Sequence, residues 1–265
     1  MLNISGFALA STQAMKNFLN TLRRRKPLFH NLPEPAAFAE VERAERIFYL
    51  EYLREGMTVF DVGANVGELT LLFSRFVADG SVHAFEASSA AFKRLEIVCG
   101  AAERRNVVLN HLALSDKNGF IRLHVYDDAL SSFNSEAARP LKNYGLDIEP
   151  VGIEETTATT VDDYCESKKI ELIDLLKIDV EGAEFQVMQG ARRMLKSKRI
   201  ACLTFEFGQT TFDMGNSPKE IEVFLKEMDY KIRNIVKGDP IFPGRESVEA
   251  ARYSMHVATP DLKSR

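Results

Sequence analysis

A repeated placement of acids constrains this chain most. Five short apolar runs, at residues 57–62, 81–86, 107–114, 172–180 and 200–207, each carry a carboxylate at or just beyond the end: Asp61, Glu86, Asp116, Asp179 and Glu206. Apolar runs of that length read as buried strands. Helical patterns separate them. Residues 68–77 place Leu69, Leu72, Phe73 and Phe76 on one face, and a helix opened by Ser88 or Ser89 runs to about residue 100. Residues 184–195 and 218–228 follow, the latter with Ser217 as cap and Pro218 in its first position. Ahead of all this, residues 38–54 repeat Val41, Ala44, Ile47, Leu50 and Leu53 at three-residue steps. Residues 230–236 and 253–259 read as two antiparallel closing strands. The alternation predicts an α/β fold: a doubly wound, mostly parallel sheet with helices on both faces. Such sheets bind ligands beyond the carboxyl ends of their strands, where the winding reverses. The five acids therefore mark the binding end.

Composition excludes several function classes. Of 265 residues, 45% are hydrophobic and 27% charged, which excludes wholesale disorder. Lys and Arg number 34 against 38 acids, a net charge of −4, which argues against a nucleic-acid partner. Cys99, Cys165 and Cys202 form no CxxC pair, so neither a disulfide scaffold nor a zinc site is expected, and a reducing cytoplasmic setting is. No run approaches 18 apolar residues, so no stable membrane insertion is expected. Residues 1–40 read as a basic helical extension, with Lys16, Arg23, Arg24, Arg25 and Lys26 and no acid before residue 34. A solvated helix packed on the domain, a surface-binding amphipathic helix and a targeting arm all fit that pattern. Residues 41–265 form the main domain. Within it, residues 127–153 are polar and aperiodic, as a substrate lid or an insertion would be.

The first strand runs into Asp61-Val62-Gly63-Ala64-Asn65-Val66-Gly67, a D-x-G-x-x-x-G loop ahead of a helix. Gly63 would permit close backbone approach to a ligand, and Gly67 close helix packing. Asn65 stands where a dinucleotide fingerprint has its second glycine, and no P-loop lysine follows. Glu86 ends the second strand, where an acid holds ribose hydroxyls in nucleoside-binding sheets.

These segments, DVGANVG, HAFEAS, NHLALSDKNG, LLKIDVEGAEFQVMQGA and TFEF in that order, resemble the FkbM family of Rossmann-like methyltransferases. The resemblance implies a seven-stranded sheet, S-adenosylmethionine as cofactor and O-methylation of a hydroxyl on a small molecule, sugar or natural product. It implies that Asp61, Gly63, Ala64, Asn65 and Gly67 surround the methionine part of the cofactor. Glu86 would bind the ribose, Ser115 and Asp116 would lie near adenine, and Asp179 and Glu181 would face the sulfonium and the substrate as catalytic residues. A hydroxyl acceptor must lose its proton, which calls for a base or a metal. Asp179, Glu181 and Glu206 offer oxygen ligands of the kind Mg²⁺ takes, although acids at strand ends also serve as plain hydrogen-bond acceptors. Glu184 reads as a helix-surface or helix-dipole residue. His83 and His111 lie inside strands and read as hydrogen-bonded structure. Ser131, Ser132 and Asn134 lie in the long polar stretch, where lid contacts and ordinary turn chemistry both explain them. N-methylation of a small amine and a non-catalytic nucleoside-binding module are the alternative functions on such a fold. The sequence sets no oligomeric state.

Overall fold

The computed structural model of the chain describes residues 35–144 and 146–261. Most of the basic extension read at residues 1–40 lies outside them.

Helix α1 (Pro35–Tyr52) leads into β1 (Thr58–Val62), α2 (Glu68–Phe76), β2 (Ser81–Glu86), α3 (Ser89–Ala101) and β3 (Val107–His111). A smaller unit follows: β4 (Ala113–Leu114), β5 (Gly119–Val125), a 3₁₀ turn (Asp128–Phe133) and β6 (Gly152–Thr159). The main sheet resumes with α4 (Val161–Lys168), β7 (Leu175–Ile178), α5 (Glu184–Gly190), α6 (Arg192–Lys196) and β8 (Leu203–Phe207). Then come α7 (Gln209–Asp213), α8 (Pro218–Glu227), β9 (Tyr230–Asn234) and β10 (Ser254–Pro260). The seven strands lie in the order β3-β2-β1-β7-β8-β10-β9. β1 is parallel to both β2 and β7, while β10 is antiparallel to β8 and β9. The winding thus reverses between β1 and β7, the position where such sheets open a ligand crevice.

Several expectations shift in detail. The run expected as one strand over 107–114 breaks at Leu112, and β4 leaves the main sheet to pair with β6. Residues 152–153, read as part of the polar stretch, open strand β6. Helix α1 starts at Pro35, ahead of the periodic pattern expected from residue 38, because proline suits a first helical turn. The buried stripe of α1 also differs. Ile47 and Leu50 are each 45% exposed, while Val41, Glu45, Tyr49 and Leu53 at four-residue steps are buried.

Parity along the strands sorts the core. Phe60, Val62, Leu176, Ile178, Phe205 and Phe207 face the layer built from α4, α5, α6 and α8. Val59, Leu175 and Val257 face the opposite layer with Val41 and Tyr49 of α1, Leu53 just past its end and Phe73 of α2. Because side chains alternate with period two, Asp61, Lys177 and Thr204 share the α1 face. The register sets Asp61 beside Lys177, and Lys177 beside Thr204. A polar row therefore crosses the middle of an apolar sheet, directly under α1.

Candidate active site

Lys177 anchors the row. Its Nζ lies 3.1 Å from Asp61 Oδ1 and 3.4 Å from Asp179 Oδ2 and donates to the Gly63 carbonyl at 3.0 Å. Burial works against its charge, but Asp61, Asp179 and Glu45 outweigh that and raise its pKa. Asp61 is fully buried and also accepts from Thr70 Oγ1 at 2.6 Å. It begins the loop, and the buried Lys177 links it to the partly exposed Asp179. The other end of the row is closed by α1: Tyr49 Oη donates to Glu45 Oε1 at 2.8 Å and lies 3.0 Å from Thr204 Oγ1. Burial, then the charge of Asp179, raises Glu45 to about 7.

Beyond the strand ends, Asp179, Glu181 and Glu206 each place a carboxylate oxygen within 4.8 Å of the others. β7 stops at Ile178, so Glu181 is already in the turn. Its φ of +54° and the +111° of Gly182 bend the backbone sharply there, and the Glu181 carboxylate lies beside that of Asp179. Burial raises Glu181 to about 8 against the pull of Arg139, whose Nη1 lies 3.3 Å away. Glu206 is raised well above the usual range by burial, then by Glu181 and Asp179. Like charge crowded so closely favours protonation of Glu181 and Glu206. Burial followed by the nearby Glu206 also raises the Tyr253 phenol. Glu184 is not on the surface. It is 1% exposed, and its Oε1 accepts from the Val180 and Gly182 amides at 3.0 and 3.1 Å, fixing the turn that carries Glu181.

On the other side of the reversal point lies the first loop. The amides of Gly63 and Ala64 both donate to Phe85 O, and Gly67 N donates to Ala64 O. The Asn65 and Ser88 amides each donate to one oxygen of Glu86 at 2.8 Å. Gly63 is also required by packing: with φ at +75°, a Cβ there would lie 1.8 Å from Asp179 O. A Cβ at Gly67 would lie 2.6 Å from Leu95 Cδ1 of α3. Asn65 Oδ1 accepts from Ser131 Oγ of the 3₁₀ turn at 3.3 Å. Ser115 is buried, with its Oγ 3.2 Å from Asp116 Oδ1, and Asp116 is exposed. At the end of β3, His111 stacks on Phe92 at 4.8 Å and lies 3.3 Å from Ser89 Oγ. His83 is buried against the Tyr164 hydroxyl at 2.9 Å and lowered by burial to about 4, a structural histidine. Cys99, Cys165 and Cys202 are all buried free thiols.

Lys177, Arg139, Asp213, Tyr253 and Glu45 act on the site without being strand-end acids. Two of these carried a signal. A single lysine within an apolar strand requires a buried counter-charge, and Glu45 falls on the four-residue stripe of Val41, Tyr49 and Leu53.

Residues 61–232 match the family described as the methyltransferase FkbM domain. The chain is 30% identical over 273 residues to the 31-O-demethyl-FK506 methyltransferase FkbM of Streptomyces tacrolimicus, covering 89% of this chain and 98% of that one. It is 29% identical over 151 residues to the 2-O-methyltransferase NoeI of Sinorhizobium fredii, covering 54% and 60%. Among solved structures, the methyltransferase FkbM of Methylobacillus flagellatus superposes with a TM-score of 0.47 at 13% identity, over 87% of this chain and 56% of that one. The chain thus spans a little over half of that structure and nearly the whole of the Streptomyces relative. The chain belongs to the FkbM family of S-adenosylmethionine-dependent methyltransferases.

Proposed function

We propose that the chain transfers a methyl group from S-adenosylmethionine to a hydroxyl of a small-molecule acceptor such as a sugar or natural product. The observation that carries this reading is the meeting of Asp179, Glu181 and Glu206, with proton affinities raised at Glu181 and Glu206, at the sheet's reversal point. A hydroxyl is a poor nucleophile until its proton is taken, and a carboxylate tuned towards neutral pH is suited to take it. An amine acceptor needs less help of this kind. Two relatives carry O-methyl transfer in their names.

The residues present fit the cofactor by their chemistry. Glu86 uses one acceptor site on each oxygen within the fold, and a carboxylate offers about four, so it keeps acceptor capacity for ribose hydroxyls. The amides of Gly63, Ala64, Asn65 and Gly67 are bonded internally. Their loop therefore sets the shape of the crevice, and the Asn65 side chain supplies the polar contact. When bound, S-adenosylmethionine supplies an electrophilic methyl group. Asp179, held by Lys177, orients the acceptor hydroxyl, and the carboxylate cluster it forms with Glu181 and Glu206 accepts its proton. The same three carboxylates have the donor type for Mg²⁺. Lys177 and Arg139 already supply positive charge to Asp179 and Glu181, which favours direct proton acceptance. Three buried free thiols agree with a cytoplasmic setting, and no helix among the described residues is long and apolar enough to cross a membrane.

A panel of sugar, polyketide and amine acceptors incubated with methyl-labelled S-adenosylmethionine tests the reading. Label should appear on a hydroxyl oxygen, and chelation should leave the rate unchanged. Transfer to amines alone would replace the O-methyl reading. Cofactor binding with no transfer to any acceptor would favour a binding module. Loss on chelation reversed by Mg²⁺ would move the proton step to a metal.

A further inference from the structure

The connection between β5 and β6 has a small core of its own. Tyr126, Leu141 and Leu146 are buried there, with Leu130, Phe133, Tyr144 and Ile148 packed around them. Arg139 is a charged residue in this apolar unit, yet its side chain is only 9% exposed. Its guanidinium reaches two carboxylates from elsewhere in the chain. Nη1 lies 3.3 Å from Glu181 Oε2, and Nε lies 3.4 Å from Asp213 Oδ2 at the end of α7. Asp213 is fixed in turn by Tyr144 Oη, which donates to its Oδ1 at 2.5 Å. A second contact grips the same turn: Ser135 Oγ donates to the Glu181 carbonyl at 2.7 Å. The polar stretch therefore holds Glu181 at both its backbone and its side chain.

Glu181 needs such a hold. Its backbone is left-handed, at φ +54°, which a side chain bearing a Cβ adopts only when its surroundings impose it. Its carboxylate also lies within 4.8 Å of those of Asp179 and Glu206, so any charge it carries there is opposed by theirs. We infer that Arg139 is a positioning residue for the methyl-acceptor site: with Asp213 and Tyr144 it clasps Glu181 against Asp179 and Glu206, so that the cluster is complete only with residues 127–151 docked. This rests on the reading of the cluster as the acceptor site. Arg139 need not touch cofactor or acceptor. Removing it frees Glu181 to swing away from its neighbours, which lowers the rate of the chemical step and leaves cofactor affinity unchanged.

The test uses the full chain with the acceptor found by labelled transfer, comparing Arg139→Met, Arg139→Lys, Glu181→Gln and the double variant Arg139→Met/Glu181→Gln. Arg139→Met should lower kcat by about tenfold or more with little change in cofactor Kd by calorimetry, and Arg139→Lys should recover most of it. The double variant should be no slower than Glu181→Gln alone, because the clasp acts only through Glu181. Independent losses that multiply in the double variant would overturn the clasp, as would unchanged kcat in Arg139→Met beside a crippled Glu181→Gln. If Arg139→Met fails to fold, Asp213→Asn carries the same comparison, with a smaller loss that should again vanish in the Glu181→Gln background. Full turnover by Glu181→Gln would instead refute the reading of Glu181 in the acceptor site.

Discussion

His256 lies wholly inside the fold, where its Nε2 accepts the Phe242 amide at 3.0 Å and burial lowers its pKa to about 3. The unfolded chain protonates this ring near the ordinary value of 6.5. Between those values the unfolded state binds a proton that the folded state refuses, so stability falls as pH drops below 6.5. His256→Gln keeps an acceptor for Phe242 and does not titrate. Urea unfolding at pH 6.5 and pH 5 should show its loss of stability to be smaller than the parent's by about 1–2 kcal/mol. An equal loss would mean that His256 is charged in the fold. At the cofactor side, Glu86→Ala should weaken S-adenosylmethionine binding by roughly 1.5–3 kcal/mol, the range for hydrogen bonds to a charged group. Calorimetry on a variant with an unchanged unfolding profile is the check, and unchanged affinity would mean that Glu86 serves only the Asn65 and Ser88 amides.

Among the elements, those with strong periodicity were legible in the sequence. Ser217 and Pro218 open α8, with the Ser217 hydroxyl accepting from the Glu220 amide as a cap should. Thr160 caps α4 in the same way. The three-residue stripe of α1 misled because Ile47 and Leu50 made it look apolar. The face that packs carries Glu45, an acid tolerated there by its bond to Tyr49 and by the charge of Lys177. The stretch at residues 127–153 defeats sequence reading for another reason. Its order comes from a few spaced residues, Leu141 and Leu146 around Tyr126, and from polar contacts to distant segments, which no local period records. That construction also predicts its behaviour. Its ties to the sheet are few, so its amides should exchange faster than those of β1 or β7 in the free protein. They should slow when cofactor and acceptor bind beneath it. Hydrogen exchange followed by mass spectrometry checks this, and equal protection with and without ligands would make the segment an ordinary surface insertion.

For the molecule as a whole, the strand-end acids predict a ligand-binding edge of the sheet; Asp61 and Asp179 lie at the ends of the two strands flanking the reversal, with Glu206 beside Asp179 and Glu86 on the neighbouring β2, whereas Asp116 follows β4, which leaves the main sheet. What strand ends alone could not convey is how the charges divide. Asp61 is buried and paired with Lys177, Glu184 turns back to hold its own loop, and among the described residues Asp179, Glu181 and Glu206 bring their carboxylates together at the strand ends. That division depends on register between strands distant in sequence and on a left-handed turn at Glu181. The central claim, that this meeting point receives the acceptor's proton, is tested most directly at Asp179, which Lys177 orients and which lies beside Glu181 and Glu206. Asp179→Asn preserves shape and removes charge and basicity. Labelled methyl transfer should fall by roughly 10²-fold or more while cofactor affinity by calorimetry stays the same. Turnover at the parent rate in a fully folded Asp179→Asn variant would contradict the account.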